Sequence, residues 1–189
     1  IMIEEIEREG LQLMHLRNVP TNPDCLGEAA LSNEPAIKQV FITGVTDDKV
    51  PVFERTLYLI RKRIEKRVSD PDFFICSLSN SNIVYKGMLS SLQLRQYYPD
   101  LTNNYFTSGL ALVHSRFSTN TFPTWSLAQP FRLLAHNGEI NTIRGNRAWM
   151  KARESELSSE ALGDIREISP IVQPNMSDSA SLDNVFEFF

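Results

Sequence analysis

Cysteine and histidine are scarce in this sequence of 189 residues, which contains two cysteines and three histidines. The two thiols, Cys25 and Cys76, are too few for a four-thiolate zinc site, an iron–sulfur cluster or the disulfide framework of a small secreted protein. One disulfide between them is left open, although a reduced cytosolic protein is the simpler interpretation. The histidines lie in strand-like segments without a carboxylate–histidine spacing, which is typical of packed, hydrogen-bonded side chains. No metal site is therefore predicted in this chain.

Long apolar runs and an excess of positive charge are also missing. No stretch reaches 18 consecutive apolar residues, so no membrane-spanning segment is predicted, and no secretory signal peptide is recognisable. The 19 lysines and arginines are outnumbered by 23 aspartates and glutamates, which gives a net charge of -4. Nucleic acids and anionic membranes require a basic surface, so neither is predicted as a partner.

The remaining composition is that of a globular protein, with 42% hydrophobic and 22% charged residues, and the length predicts one domain. Helix-like and strand-like patterns alternate along it, which favours an α+β layered sandwich. Helices are predicted at residues 3–10, 53–68, 91–101 and 141–157, and the segment 177–189 begins with an Asp/Ser N-cap signal ahead of a last helix. Strands are predicted at residues 11–20, 38–45, 73–79, 82–87, 106–118 and 131–136, with a loop at 21–33.

The helix predicted at 53–68 has apolar residues at three- and four-residue steps, and it contains the basic run RKRIEKR at 61–67. A run of five cations and one glutamate is typical of the solvated face of an amphipathic helix. We therefore expect the charges of residues 61–67 to lie in solvent.

Four residues, three of them with polar side chains, stand at the ends of predicted elements, where they can meet at one small polar ligand. Arg116 ends one strand, Asn137 and Gly138 follow another, and Asp178 lies just ahead of the last helix. A guanidinium binds a carboxylate in bidentate fashion and a carboxylate binds an ammonium, so this set suits a free amino acid. An asparagine amide beside a glycine N–H offers two donors for a developing oxyanion.

Each of these four residues also has a simpler interpretation. Asn137-Gly138 between apolar stretches is a signal for a two-residue hairpin turn. Arg116 could be an ordinary cation at the end of a strand. Asp178 could be a helix N-cap, a role that is compatible with ligand binding. The residues alone leave these alternatives open.

A resemblance to a known family rests on the block HSRFSTNTFPTWSLAQPFRLLAHNGEINTIRGNRAWM at 114–150. This block resembles the glutaminase domain of the glutamate synthases, a class II glutamine amidotransferase of the N-terminal nucleophile type. The pieces LRNVPTNPDCLGEAAL, YKGML and SDSASLDNVFEFF are similar to the same family in the same order. The resemblance therefore covers nearly the whole chain.

The resemblance implies a fold and a role for each of the four residues. The fold is a four-layer αββα sandwich of the N-terminal nucleophile hydrolase type, formed by one glutamine amidotransferase domain over 1–189 that is partial at its N-terminus. Arg116 matches the residue that holds the α-carboxylate of glutamine, and Asp178 matches the acid that receives its α-ammonium. Asn137 and Gly138 match the oxyanion hole. The domain releases ammonia from L-glutamine for transfer to 2-oxoglutarate, which yields L-glutamate.

The family's nucleophile is a cysteine at the mature N-terminus, whose own α-amine serves as the base because its pKa lies near neutrality. Residue 1 here is Ile, and neither Cys25 nor Cys76 has a free α-amine beside it. A thiol inside an apolar strand, as expected for Cys76, is a poor nucleophile because burial disfavours the thiolate. We expect that these 189 residues alone do not hydrolyse glutamine.

Further cofactors and partners follow from the resemblance alone. FMN and an iron–sulfur cluster are implied in other domains of the parent enzyme, and none in this chain. The implied partners are L-glutamine and L-glutamate, the synthase domains of the same polypeptide and a small reductase subunit. The implied location is the cytoplasm, or the plastid stroma in a photosynthetic eukaryote.

Two other functions compete with this one. The chain could be the glutaminase domain of another class II amidotransferase, such as a glucosamine-phosphate or purine-pathway synthetase, although the TNTFPTWSLAQP insertion and the RGN sequence argue against it. It could also be a non-catalytic domain that binds amino acids or a partner after loss of the nucleophile.

Overall fold

Two strands lie between helices near the start of the chain and helices follow them, in a computed structural model that describes residues 1–44, 50–117, 121–136 and 139–189, without the side chain of Val50. The helices of the described residues are α1 (Met2–Arg8), α2 (Glu28–Leu31), α3 (Val50–Arg67), α4 (Gln93–Tyr97), α5 (Ile143–Glu154) and α6 (Asp178–Phe188). The strands of the described residues are β1 (Leu11–Asn18) and β2 (Lys38–Gly44), and 3₁₀ turns occur at Pro23–Cys25, Pro99–Thr102 and Ile165–Glu167. Five helix predictions and two strand predictions are thereby confirmed, whereas the predicted loop at 21–33 contains α2 and a 3₁₀ turn.

The strands β1 and β2 form an antiparallel pair in which Leu11 lies opposite Gly44 and Asn18 lies opposite Lys38. A bulge between Leu13 and His15 interrupts the register, which is how an extra residue is accommodated in such a pair. Gly10 joins α1 to β1 with a φ of 72°, a left-handed conformation that a residue without a Cβ adopts at low cost.

The strands predicted at 73–79, 82–87, 106–117 and 131–136 are wrong for the described residues, because none of these segments joins a β-ladder. A strand requires main-chain hydrogen bonds to a neighbour, and an apolar alternation by itself does not provide one. Leu110 and Val113 illustrate this, since their side chains are 85% and 71% exposed. The described residues form a sheet of two strands. The structure therefore shows a mixed helix and strand fold, and it does not show the expected four-layer sandwich.

Three apolar clusters form the interior of the part of the chain that the structure describes. The first lies between α1, β1 and α3 and comprises Ile6, Leu11, Leu57, Ile60 and Ile64, each at most 3% exposed. The second surrounds Tyr97, Tyr98 and Trp125, and the third joins α3 to the segment 165–168.

Gly87 in the second cluster permits a close contact with an aromatic ring. A Cβ at this position would lie 2.4 Å from the ring of Trp125, far inside van der Waals distance. The indole N–H of Trp125 donates to the carbonyl of Ala30 at 3.2 Å, which fixes the ring against α2. Glycine at 87 is therefore a packing requirement.

The basic run of α3 is not a solvated face, so that expectation is wrong for its first three cations. Arg61, Lys62 and Arg63 are 1%, 2% and 9% exposed. They are buried because α3 has neighbours on several sides: α1 packs against it, and α6 and the segment 165–171 supply its polar partners. Long cationic side chains pack their stems against apolar neighbours and are tolerated in the interior when their charges are paired.

Two arginines and their acidic partners connect α3, α6 and the segment 131–134. Arg61 donates to Glu65 at 2.7 Å and to Glu187 of α6. Arg132 donates to the same Glu187 at 2.8 Å and lies 3.0 Å from a carboxylate oxygen of Asp183. This buried network therefore fixes α6 against the chain just ahead of residue 136.

Lys62 gives a testable pH dependence of stability. Its ammonium donates to the carbonyls of Pro170 and Ile171 at 2.8 and 3.3 Å, and burial lowers the pKa of Lys62 to about 8. The unfolded chain binds this proton up to its usual pKa near 10.5. Between pH 8 and 10.5 the unfolded state therefore holds more protons than the native state, so this group makes the free energy of unfolding rise with pH.

We expect the wild type to gain about 2–3 kcal/mol relative to Lys62→Met between pH 7.5 and 10. Urea unfolding of both proteins at several pH values measures this difference. The contributions of the other titrating groups cancel when the two free energies of unfolding are subtracted. Lys66→Met, which removes an exposed lysine of the same helix, should follow the wild-type pH profile. Parallel pH profiles for Lys62→Met and wild type would contradict the assignment.

Candidate functional site

Asp178 is the first residue of α6, and its side chain is nearly buried at 11% exposure. The N-cap is Ser177, whose hydroxyl accepts a hydrogen bond from the backbone N–H of Ala180 at 3.2 Å. The alternative that Asp178 itself caps the helix is therefore wrong. A carboxylate in the first turn is stabilised by the positive end of the helix dipole, so this position suits a charged binding group.

Two groups approach the Asp178 carboxylate from different sides. Its Oδ2 accepts a hydrogen bond from the backbone N–H of Ile140 at 3.1 Å. Its Oδ1 lies 3.7 Å from the Nη2 of Arg147, which belongs to α5. Arg147 is in turn fixed by hydrogen bonds to Ser181 at 2.8 and 3.0 Å and to the carbonyl of Met176 at 2.6 Å.

The neighbouring Ser179 and the side chain of Gln129 hold the backbone of His136. Ser179 is fully buried and donates to the His136 carbonyl at 2.5 Å. Gln129 donates to the same carbonyl at 2.8 Å and accepts from the His136 N–H at 2.7 Å, which satisfies both backbone groups of this residue. The first turn of α6 is thus bonded to residue 136 through Ser179 and to residue 140 through Asp178.

Asn137 and Gly138, the predicted oxyanion hole, lie outside the described residues. Both the oxyanion role and the alternative of a hairpin turn stay predictions. What the structure describes is the adjacent chain, in which His136 and Ile140 both bond to the start of α6.

Arg116 has an exposed side chain and follows a segment without regular secondary structure. Within the described part of the chain, no hydrogen bond or ion pair connects it to Asp178. The structure therefore joins Asp178 to the neighbours of Asn137 and Gly138 through hydrogen bonds, whereas no hydrogen bond or ion pair in the described ranges links Arg116 to them. Its role as a carboxylate clamp stays a prediction.

The two thiols have environments that do not favour nucleophilic chemistry. Cys25 ends a 3₁₀ turn and its thiol contacts the carbonyl of Asn22 at 3.2 Å. Burial raises the pKa of the Cys76 thiol, an effect that the nearby Lys86 partly offsets. A raised pKa reduces the thiolate fraction near neutrality, so Cys76 is not an activated nucleophile.

Sequence reasoning missed Gln129, Ser179 and Arg147 as parts of this site. Gln129 had no signal of its own, since a side-chain amide that pairs with a peptide group depends on tertiary proximity. The RGNR sequence drew attention to Arg144 and Arg147 as a pair of cations but did not distinguish them. In the structure Arg147 is half-buried, whereas Arg144 is exposed.

The described ranges contain neither a candidate metal cluster nor a helix that could span a membrane. No cluster of three or more histidine, cysteine or acidic side chains there could hold a metal ion. None of the helices in this part of the chain has the length and apolar character needed to cross a bilayer.

Comparison with known proteins adds a family to this geometry. The model of the family "Glutamine amidotransferases class-II" matches residues 1–189. The chain is 50% identical over 184 residues to the glutamate synthase (NADH) of Saccharomyces cerevisiae. The aligned residues cover 94% of this chain and 9% of that protein. It is 48% identical to the glutamate synthase (NADPH) large chain of Azospirillum brasilense, over 99% of this chain and 13% of that protein.

A plant relative is similar to the same degree. The ferredoxin-dependent glutamate synthase 2 (chloroplastic) of Arabidopsis thaliana is 48% identical over 96% of this chain and 11% of its own length. The chain therefore spans about a tenth of the length of these curated relatives. Since their names specify three different electron donors at nearly equal identity, the similarity does not distinguish between donors.

Proposed function

The chain belongs to the class II glutamine amidotransferases, and from this membership we propose that residues 1–189 form the glutaminase domain of a glutamate synthase. The domain releases ammonia from L-glutamine, and the whole protein adds that ammonia to 2-oxoglutarate to make L-glutamate. The observation that carries the proposal within the structure is the nearly buried Asp178 carboxylate. It lies at the start of α6 and is bonded to the chain that follows Asn137 and Gly138.

The proposed roles of the site residues follow from their chemistry. Asp178 binds the α-ammonium of glutamine, and Arg116 binds its α-carboxylate in bidentate fashion. The side chain of Asn137 and the N–H of Gly138 donate to the oxyanion that forms when the side-chain amide is attacked. Binding both ends of the amino acid fixes the amide against these donors, so binding energy is converted into orientation.

The nucleophile in this proposal is a cysteine outside the 189 residues, whose free α-amine accepts the thiol proton. The thiolate forms a bond to the amide carbon, the C–N bond breaks, and ammonia leaves with the proton. Water then hydrolyses the γ-glutamyl thioester to glutamate and the free thiol. The four-layer αββα sandwich is likewise proposed, as the arrangement in which this domain, spanning 1–189, would present its site.

The redox cofactors of the proposed reaction belong to other parts of the whole protein. FMN and an iron–sulfur cluster would supply the reduction that converts the imine of 2-oxoglutarate to glutamate. The two cysteines of this chain do not fit a cluster that needs three or four thiolates. A small reductase subunit and a location in the cytoplasm or plastid stroma complete the proposal, and the chloroplastic name of a relative supports the second location.

Ammonia release tests the function. The whole protein that carries these residues is expected to release ammonia from L-glutamine and to form glutamate from 2-oxoglutarate. A polypeptide of these 189 residues alone is expected to release none, because it lacks the proposed nucleophile. An enzyme-coupled ammonia assay with and without 2-oxoglutarate measures both.

Three results would contradict the proposal. The first is the absence of glutaminase activity in the whole protein, which would favour the non-catalytic alternative. The second is transfer of ammonia to a sugar phosphate instead of 2-oxoglutarate, which would favour another class II amidotransferase. The third is steady ammonia release by the 189-residue polypeptide, which would place the nucleophile within it.

A further inference from the structure

Arg147 is anchored more firmly than an ordinary surface arginine. Its side chain is 33% exposed, and it joins α5, to which it belongs, to α6. The Nε and Nη2 atoms both donate to the hydroxyl of Ser181, and Nη2 also donates to the carbonyl of Met176. Ser181 is held in place because its hydroxyl donates to the carbonyl of Ser177 at 2.9 Å. The guanidinium therefore has a fixed position beside the first turn of α6.

From this position the guanidinium acts on Asp178 without forming a hydrogen bond to it. The separation of 3.7 Å between Nη2 and Oδ1 allows strong Coulomb attraction but is too long for a hydrogen bond. The other oxygen, Oδ2, is bonded to Ile140. Within the described residues, Oδ1 thus keeps its capacity to accept a hydrogen bond from a ligand.

We infer that Arg147 is a positioning residue for glutamine, which keeps the Asp178 carboxylate oriented so that Oδ1 can receive the α-ammonium of the ligand. The inference rests on the proposed function. Ile140 fixes one carboxylate oxygen, and the guanidinium attracts the other, so the side chain is held at two points. The hydrogen bonds of Arg147 to Ser181 and Met176 hold its guanidinium at this distance and oppose its movement toward Oδ1.

The required group is a planar guanidinium and not merely a positive charge. Its fork of N–H groups bonds Ser181 through two nitrogens and Met176 at the same time, which the single nitrogen of a lysine cannot reproduce in this geometry. Arg147→Lys should therefore lose most of the effect even though it keeps the charge.

The test compares two substrates in the whole protein. L-Glutamine carries an α-ammonium, whereas 4-carbamoylbutanoate has the same amide and carboxylate without it. For Arg147→Met we expect the KM for glutamine to rise about tenfold with kcat within about twofold, because ammonium binding is equally strong in ground and transition states. The kcat/KM for 4-carbamoylbutanoate should be unchanged, since Asp178 has no group to bind in it.

Matched variants separate positioning from a general structural role. Arg144→Met removes an exposed arginine of the same helix and should leave both substrates unaffected. Ser181→Ala removes one anchor of Arg147 and should produce a smaller rise in KM for glutamine alone, which keeps the test valid if Arg147→Met folds poorly. Equal losses with both substrates, or no loss with glutamine, would overturn the inference. Absence of glutaminase activity in the wild type would instead refute the proposed function.

Discussion

Asp183→Ala is expected to lower the free energy of unfolding by about 3–5 kcal/mol, because it removes one partner of a buried ion pair. Asp183 is completely buried, and one carboxylate oxygen accepts from the backbone N–H of Leu133 at 2.8 Å. The other lies 3.0 Å from Arg132. The variant leaves the Arg132 guanidinium with less compensating charge and leaves the Leu133 N–H without its acceptor. A loss of this size approaches the whole stability of a typical domain.

Equilibrium unfolding in urea, followed by circular dichroism, measures this loss. Asp183→Asn should lose less than Asp183→Ala, since the amide oxygen still accepts from Leu133 while the charge is absent. Glu4→Ala is the control, because Glu4 pairs with Arg67 at the surface and its loss should leave the urea midpoint almost unchanged. Equal midpoints for Asp183→Ala and wild type would show that the network contributes no net stability.

Asp178→Asn in the whole protein is expected to reduce kcat/KM for glutamine by about 100-fold, a loss typical of removing one partner of a desolvated charge pair. The amide oxygen still accepts from the N–H of Ile140, so the fold of the site should be retained. Synthesis of glutamate from 2-oxoglutarate and a high concentration of ammonium chloride should be unaffected, because free ammonia replaces the product of the glutaminase step.

Steady-state kinetics with glutamine and with ammonium chloride provides both numbers. Arg116→Ala in the same assays tests the carboxylate clamp, and titration calorimetry with L-glutamate gives the binding loss directly. If glutamate binding is unchanged in Arg116→Ala, the clamp is assigned to the wrong residue. A parallel loss of glutamine-dependent and ammonium-dependent synthesis in Asp178→Asn would mean that Asp178 supports the fold and not the ligand.

The local elements were predictable because their signals are local. The spacing of apolar residues in α3, the glycine after α1 and the Ser177 hydroxyl ahead of α6 act within one or two turns of chain. The failure at residues 106–117 has the opposite cause, since a strand depends on a partner that its own sequence does not specify. The burial of Arg61 also depends on distant chain, because its partner Glu187 lies in α6.

The same division applies to the candidate site. Asp178 was predictable because it lies in SDSASLDNVFEFF, a short piece that resembles the family and begins with a helix N-cap signal. The contacts that hold it were not predictable, because they come from Ile140 and Arg147, which lie in separate stretches of the chain. The charge of a residue indicates which ligand group it can bind, whereas tertiary packing decides where that charge stands.

Gly87 and Trp125 show how such packing limits the substitutions that the chain tolerates. One lies in YKGML and the other in FPTWSLAQP, and the indole ring occupies the space that any side chain at position 87 would need. A substitution at 87 would push the ring off the carbonyl of Ala30, and a smaller residue at 125 would leave the glycine facing a void. The two short motifs, which look independent in the sequence, are therefore coupled in energy, so that a substitution in one changes the cost of a substitution in the other.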